Sequence, residues 1–306
     1  MISLFNINHY VIDTSQFSNL LHDTLVEDFV KEFCEYVGAK YGCAVNSATN
    51  AIFLSLDKKE QSVEIPTMIP PVVGNSVKLT GCDLRFNDNT EWVGHSYVLH
   101  DFKDYKIIDS AQRVDRNQFA KEANDDDLMI FSFYPTKPVG GMDGGMIVSN
   151  DKDKIDYFRH KSFNGTSFAE NNWEREQVSI GWKMYLNSAQ AYVALNNLRK
   201  LDEKKTRLLA IRRQYNNAFG LDNYSNHLYR ISVNNRDELQ ATLKQQGIVT
   251  GIHYNCLHQH PLFECGLNLC NSEKQQKRTL SIPFHEGMTD AEVEEVVCKV
   301  KQLAKY

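Results

Sequence analysis

The sequence predicts an α/β protein with one large layered domain followed by a smaller α+β domain, and three observations predict it. The chain has 306 residues, enough for two hydrophobic cores. Its short apolar runs, at 128–133 and 146–149, are continuous rather than alternating, as in strands covered on both faces. Segments with apolar residues at helical spacing occur before and after them. The net charge of -5, with signs interspersed, offers no basic footprint for nucleic acid.

Taken in order, Val26, Phe29, Val30, Phe33 and Val37 mark one face of a first helix, stopped by Gly38. A short strand at 43–45 leads into a second helix from Asn46-Ser-Ala-Thr, where free N–H groups and the Ser47 and Thr49 hydroxyls could attract an anion or simply cap the helix. A strand at 63–66, a helix at 72–79 and a strand at 84–88 follow. Between 89 and 108 the only strand candidate is 96–100. Asp125, Asp126 and Asp127 read as a solvated loop, and 167–177 as an exposed one. A long helical pattern spans 187–219, burying Leu195, Leu198, Leu201, Leu208, Ile211 and Tyr215, and Gly220 ends it. Strand 227–233, helix 236–246, strands 248–254 and 279–284, and a last helix opened by the capping box Thr289-x-x-Glu292 complete the chain. The domains are then 1–219, including the connecting helix, and 220–306.

Chemistry concentrates between the two continuous runs. Lys137 stands in Tyr-Pro-Thr-Lys-Pro-Val-Gly-Gly-Met-Asp-Gly-Gly, where Pro138 biases it away from helical geometry and the glycines allow close backbone approach to a ligand. Asp109 ends another apolar strand, the place where α/β sheets put ligand-binding groups. Seven cysteines at 34, 43, 82, 256, 265, 270 and 298 have no framework or zinc spacing, so they read as reduced thiols and no metal site is expected. The first residues lack a signal-peptide pattern and no apolar run reaches spanning length, which predicts a cytoplasmic protein with no membrane association.

The motifs Ser-Phe-Tyr-Pro-Thr-Lys at 132–137, Asp-Ser-Ala-Gln at 109–112 and Gly-Ile-His-Tyr-Asn-Cys-Leu-His at 251–258 resemble those of the DegT/DnrJ/EryC1/StrS aminotransferases, from about residue 26 to the C-terminus. That resemblance implies the fold-type I architecture of pyridoxal phosphate enzymes, a large mixed, mostly parallel sheet flanked by helices. It implies amination of a dTDP-, UDP- or GDP-linked 3- or 4-keto-deoxy sugar for glycan or O-antigen precursors, with L-glutamate as donor, by a homodimer with shared active sites. Lys137 would bond the cofactor and move protons, and Asp109 would hold the pyridine nitrogen protonated. Gln112 would contact the ring. Ala48, Thr49 and Ser132 would hold the phosphate, joined by Lys183 of the partner subunit. Tyr134, His253 and Tyr254 would lie near the sugar. His258 reads better as a core histidine.

Two departures stand out. Pro70 falls where relatives place an aromatic ring over the pyridine, and the 89–108 segment is shorter than theirs, so a compact member with a trimmed sheet is expected. Two other readings stay open. One is a pyridoxal phosphate-dependent sugar dehydratase, although such relatives carry histidine in place of the lysine. The other is an inactive regulatory or structural protein of the same fold.

Overall fold

The computed structural model describes residues 1–7, 9–56, 61–169 and 171–306. In chain order the elements are α1 (Thr24–Val37), β1 (Tyr41–Val45), α2 (Ala48–Ser55), β2 (Ser62–Pro66), α3 (Pro71–Leu79), β3 (Asp83–Asn87), β4 (Tyr97–Asp101), β5 (Lys106–Asp109), α4 (Gln118–Glu122), β6 (Leu128–Ser132) and β7 (Gly145–Ser149). There follow α5 (Lys152–Ser162), α6 (Ser188–Arg199), α7 (Leu201–Phe219), β8 (Tyr229–Ser232), α8 (Arg236–Gln245), α9 (Cys270–Arg278), β9 (Thr279–Ile282) and α10 (Asp290–Leu303).

A five-stranded sheet, ordered β1-β7-β6-β5-β4, carries two cores. Ile130 and Ile147 join Ala51, Ile52 and Ile155 on one face, while Met129, Phe131 and Val148 join Phe29, Phe33 and Leu195 on the other. Successive residues of a strand point to opposite faces, so a strand buried on both sides reads as an unbroken apolar run. Phe33 of α1 meets Phe131 edge-on at 4.9 Å and Phe133 at 5.1 Å, which seats that helix on the sheet. The α1 stop is as expected: Gly38 has φ 78°, and its N–H bonds back to Cys34.

The sheet is mixed. β5 and β6 run parallel, whereas β1–β7, β7–β6 and β4–β5 are antiparallel. Its parallel share is therefore smaller than the resemblance implied, and at β4–β5 the short segment is the reason. Only residues 102–105 join β4 to β5, enough for a hairpin, while a parallel crossover needs roughly a dozen residues or more. Parallel β2 and β3 form a separate pair, with His100 of β4 bonded to Gln61 just before β2 at 2.8 Å.

Three sequence expectations need correction. The long helix breaks at Lys200 into α6, packed on α1, and α7, whose Leu208, Ile211 and Tyr215 enter a third core with Ile2, Tyr229, Ile231 and the valines of α10. Neither glycine nor proline marks the break, so the periodicity runs through it. The stretch 248–254 is not a strand; it makes single bridges, Ile248 to Ile2 and Gly251 to Ser281, before turning toward the large sheet. Asp127 is buried rather than solvated, accepting from the N–H groups of Lys106 and Asn124 at 2.7 and 2.8 Å. Helix α9, nearly all polar, is held by a distant cap: the Asp88 carboxylate accepts from the N–H groups of Asn271 and Ser272. No local pattern announces that.

Candidate active site

Strand register brings the chemical residues to one edge of the sheet. Gly145 of β7 pairs with Val45 of β1 on one side and Ser132 of β6 on the other, while Asp109 of β5 pairs with Ile130, two residues before Ser132. Helix α2 begins directly after β1, so its first turn lies beside Gly145. A Cβ added there would stand 2.6 Å from the Ala48 nitrogen. Glycine is what lets the helix N-terminus approach the strand. Ser47 caps α2 by accepting from Asn50 N–H, leaving the N–H groups of Ala48 and Thr49 without a partner inside the helix. Sequence reading left the Ser47 and Thr49 hydroxyls with two readings, and Ser47 acts as the cap.

Lys137 follows Ser132 on a loop that returns to β7. Its N–H donates to the Tyr134 carbonyl at 2.8 Å, and Gly140, at φ 66°, turns the chain back so that Gly141 N–H reaches the Phe133 carbonyl. Burial pushes the Lys137 amine down to about 8, and the charge of Asp109 draws it part of the way back. Asp109 is itself buried. Burial raises its carboxyl above the usual range, against the Ala111 N–H and the Tyr97 hydroxyl, each at 2.9 Å, and the charge of Lys137. Amine and carboxylate thus act on each other with no ion pair between them.

Gln112 is buried beside this pair and bridges two segments: its Nε2 donates to the Tyr254 hydroxyl at 2.9 Å, and its Oε1 accepts from Gly94 N–H at 2.7 Å. Tyr254 therefore does belong to the cluster. His253 joins it too, with Nδ1 on Ser281 Oγ at 2.9 Å and its ring pushed down to about 4, first by burial and then by the charges of Lys137 and Arg230. Tyr134 is exposed, so it is not packed between strands. Lys183 is exposed, bridges Phe163 through its backbone and stays outside the cluster within its own chain. Pro70 precedes α3 as its cap residue, and Met68 is fully buried against Cys256. His258 is a core histidine, as expected, bonded to Thr67 Oγ1 at 2.6 Å and Glu273 at 3.2 Å.

The structure adds four residues that the sequence did not single out. Tyr97 opposes Asp109 in the β4–β5 hairpin, and Trp92 stacks on Tyr254 with ring centroids 6.0 Å apart. His227 and Lys137 line one narrow cleft, and Arg230 lies behind Tyr254. Tyr97 could have been found from the strand candidate at 96–100 had the hairpin been foreseen. The others depend on how the second domain docks.

The profile of the DegT/DnrJ/EryC1/StrS aminotransferase family matches residues 5–70 and 107–301. The chain belongs to this family. The unmatched stretch, 71–106, contains most of the shortened segment. Among curated relatives, the spore coat polysaccharide biosynthesis protein SpsC of Bacillus subtilis is 28% identical, aligned over 92% of this chain and 90% of its own length. The UDP-4-amino-4,6-dideoxy-N-acetyl-beta-L-altrosamine transaminase of Campylobacter jejuni is 26% identical, over 86% and 85% respectively. Among solved structures, the aminotransferase TlmJ of Streptoalloteichus hindustanus superposes with a TM-score of 0.82 at 20% identity, covering 99% of this chain and 98% of that one. These solved structures share the fold. Within the DegT family this chain is an aminotransferase, and its cofactor is pyridoxal 5'-phosphate.

The residues fit that cofactor. A free helix N-terminus beside Ser132 suits a phosphate. The Asp109 carboxylate, bonded only to a neutral hydroxyl and an N–H, has capacity left for a protonated ring nitrogen. Lys137 offers an amine that burial brings down to about 8, so that it loses its proton far more readily than an exposed lysine.

Proposed function

We propose that this DegT-family enzyme transfers an amino group from L-glutamate to a nucleotide-linked 3- or 4-keto-deoxy sugar, supplying a glycan precursor. One observation carries the reading: Asp109 is buried with its carboxylate bonded to the Tyr97 hydroxyl and the Ala111 N–H, close enough to the buried Lys137 amine for each charge to act on the other. In this reading Ala48 and Thr49 N–H groups and the Ser132 hydroxyl hold the phosphate, with Lys183 of the partner subunit adding a cation. Asp109 would hold a proton on the ring nitrogen, and Gln112 would contact the ring. Bound pyridoxal phosphate supplies the electron sink for breaking the bond at the donor's α-carbon. Lys137 Nζ takes the proton from that carbon and returns one when the acceptor is aminated. Tyr134, His253 and Tyr254 face the sugar.

Residues 1–219 form the cofactor-holding part in this reading, and 220–306 the part that covers it. Among the described residues no helix is long and apolar enough to cross a membrane. Retention of lysine at 137 favours amino transfer over dehydration.

The test is the donor half-reaction followed by a panel of keto-sugar nucleotides with mass detection. L-glutamate is expected to change the visible absorbance of the loaded enzyme, and one keto-sugar to gain an amine. Lys137→Ala is expected to lower turnover by at least about a thousandfold. An absorbance indifferent to every amino donor would sink the reading.

A further inference from the structure

Strand β8 presents Tyr229 and Ile231 to the third core, so Arg230 between them faces the opposite way, toward the large sheet. Its neighbour across the pair, Ser281 of β9, holds His253. Residues 90–94 of the shortened segment pack against this face. Arg230 Nη2 donates to the Thr90 carbonyl at 3.5 Å, Trp92 stacks on Tyr254 with an interplanar angle of 7°, and Gly94 N–H bonds Gln112. The result is a continuous wall from Arg230 through Trp92 and Tyr254 to Gln112.

Two donors in that wall are buried and have no partner: Nη1 of Arg230 and Nε1 of Trp92. Native proteins pair buried donors almost without exception, so two left open along one wall point to a ligand. Glu91 attracts Arg230 only from an exposed position. Trp92 also meets Tyr97, with ring centroids 4.9 Å apart, and the Tyr97 hydroxyl bonds Asp109 at 2.9 Å, which sets this wall beside the Asp109 carboxylate.

We propose that Arg230 and Trp92 form a carboxylate-binding subsite that holds the amino-acid donor beside Lys137. This deepens the aminotransferase reading and rests on it. One cation and one neutral N–H match a carboxylate of single charge, whereas a diphosphate would leave charge uncompensated in a buried wall. Trp92 reaches Tyr254 from the shortened segment, so that segment contributes to donor recognition.

The experiment titrates the cofactor-loaded protein calorimetrically with glutarate, which has the two carboxylates of L-glutamate and no amine to react. Saturable binding is expected, weakened about ten- to a hundredfold in Arg230→Gln and a few-fold in Trp92→Phe, which keeps the ring and removes only the N–H. UDP affinity is expected to be unchanged in both. No saturable glutarate binding in the unaltered protein, equal affinity in Arg230→Gln, or a loss confined to UDP each overturns the subsite. Should Arg230→Gln fail to fold, Arg230→Lys and Trp92→Phe decide by the same criteria. If glutarate binds as expected but no donor delivers an amine, the subsite stands and the proposed reaction fails.

Discussion

Burial brings the Lys137 amine down to about 8, and that sets the pH dependence of its chemistry. Its folded-state value of about 8 lies below the ordinary 10.5, so between these limits the folded protein binds fewer protons than the unfolded chain. The cost of burying the ammonium is complete below about pH 8 and is relieved as pH rises toward 10.5. Uptake of pyridoxal phosphate needs Nζ unprotonated. Its rate in stopped-flow absorbance is therefore expected to rise roughly tenfold per pH unit in acid and to level off near pH 8 rather than above 10. Asp109 raises the amine's value, so Asp109→Asn is expected to move the break to lower pH. A break that stays in place would separate the two residues.

Among the elements, the contact between the start of α2 and the start of β7 builds the anion cradle. Gly145→Ala would force a methyl to 2.6 Å from the Ala48 nitrogen and 2.8 Å from its Cα, both backbone atoms with little freedom to yield. The variant is expected to lose about 1–3 kcal/mol in urea unfolding and to bind inorganic phosphate and pyridoxal phosphate more weakly. Elements whose signals are local were legible in advance. Helix α1 with its glycine stop, the capping box of α10, and β6 and β7 as doubly buried strands all stand where the sequence places them. Elements held from a distance were not: α9 takes its cap from Asp88, and 248–254 gives up strand geometry to carry Tyr254 to Gln112.

Across the whole molecule, the shortened segment has consequences beyond a missing crossover. It turns β4 into the antiparallel partner of β5, sets Tyr97 against Asp109 and inserts Trp92 beneath the second domain. The C-terminal part of the chain is tied further to the N-terminal part by Thr67 Oγ1 on His258 and by the Asp88 carboxylate that caps α9. The expected homodimer belongs to this scale. Phe168, Trp173, Val178 and Ile180 are exposed, Trp173 and Ile180 more than four-fifths accessible, and large exposed apolar side chains of this kind are the surface on which the expected dimer is to be tested. Sedimentation is expected to give twice the 35.2 kDa chain mass, and Trp173→Ser with Ile180→Ser to shift the protein toward monomer. If Lys183 of the partner subunit completes the phosphate site, cofactor affinity falls in the same variant; a monomer with full affinity would remove Lys183 from it.

The sequence by itself determined the first helix, the doubly buried strands and the last helix, and it singled out Lys137, Asp109 and Gln112, because apolar periodicity, glycine stops and short motifs are properties of neighbouring residues. Tertiary structure alone decided that Asp109 takes its hydrogen bond from Tyr97, that Gln112 holds Tyr254, and that Arg230 and Trp92 stand open beside them. Those pairings depend on hairpin register and on how one domain docks on the other. Both are fixed by long-range burial, which no window of adjacent residues records.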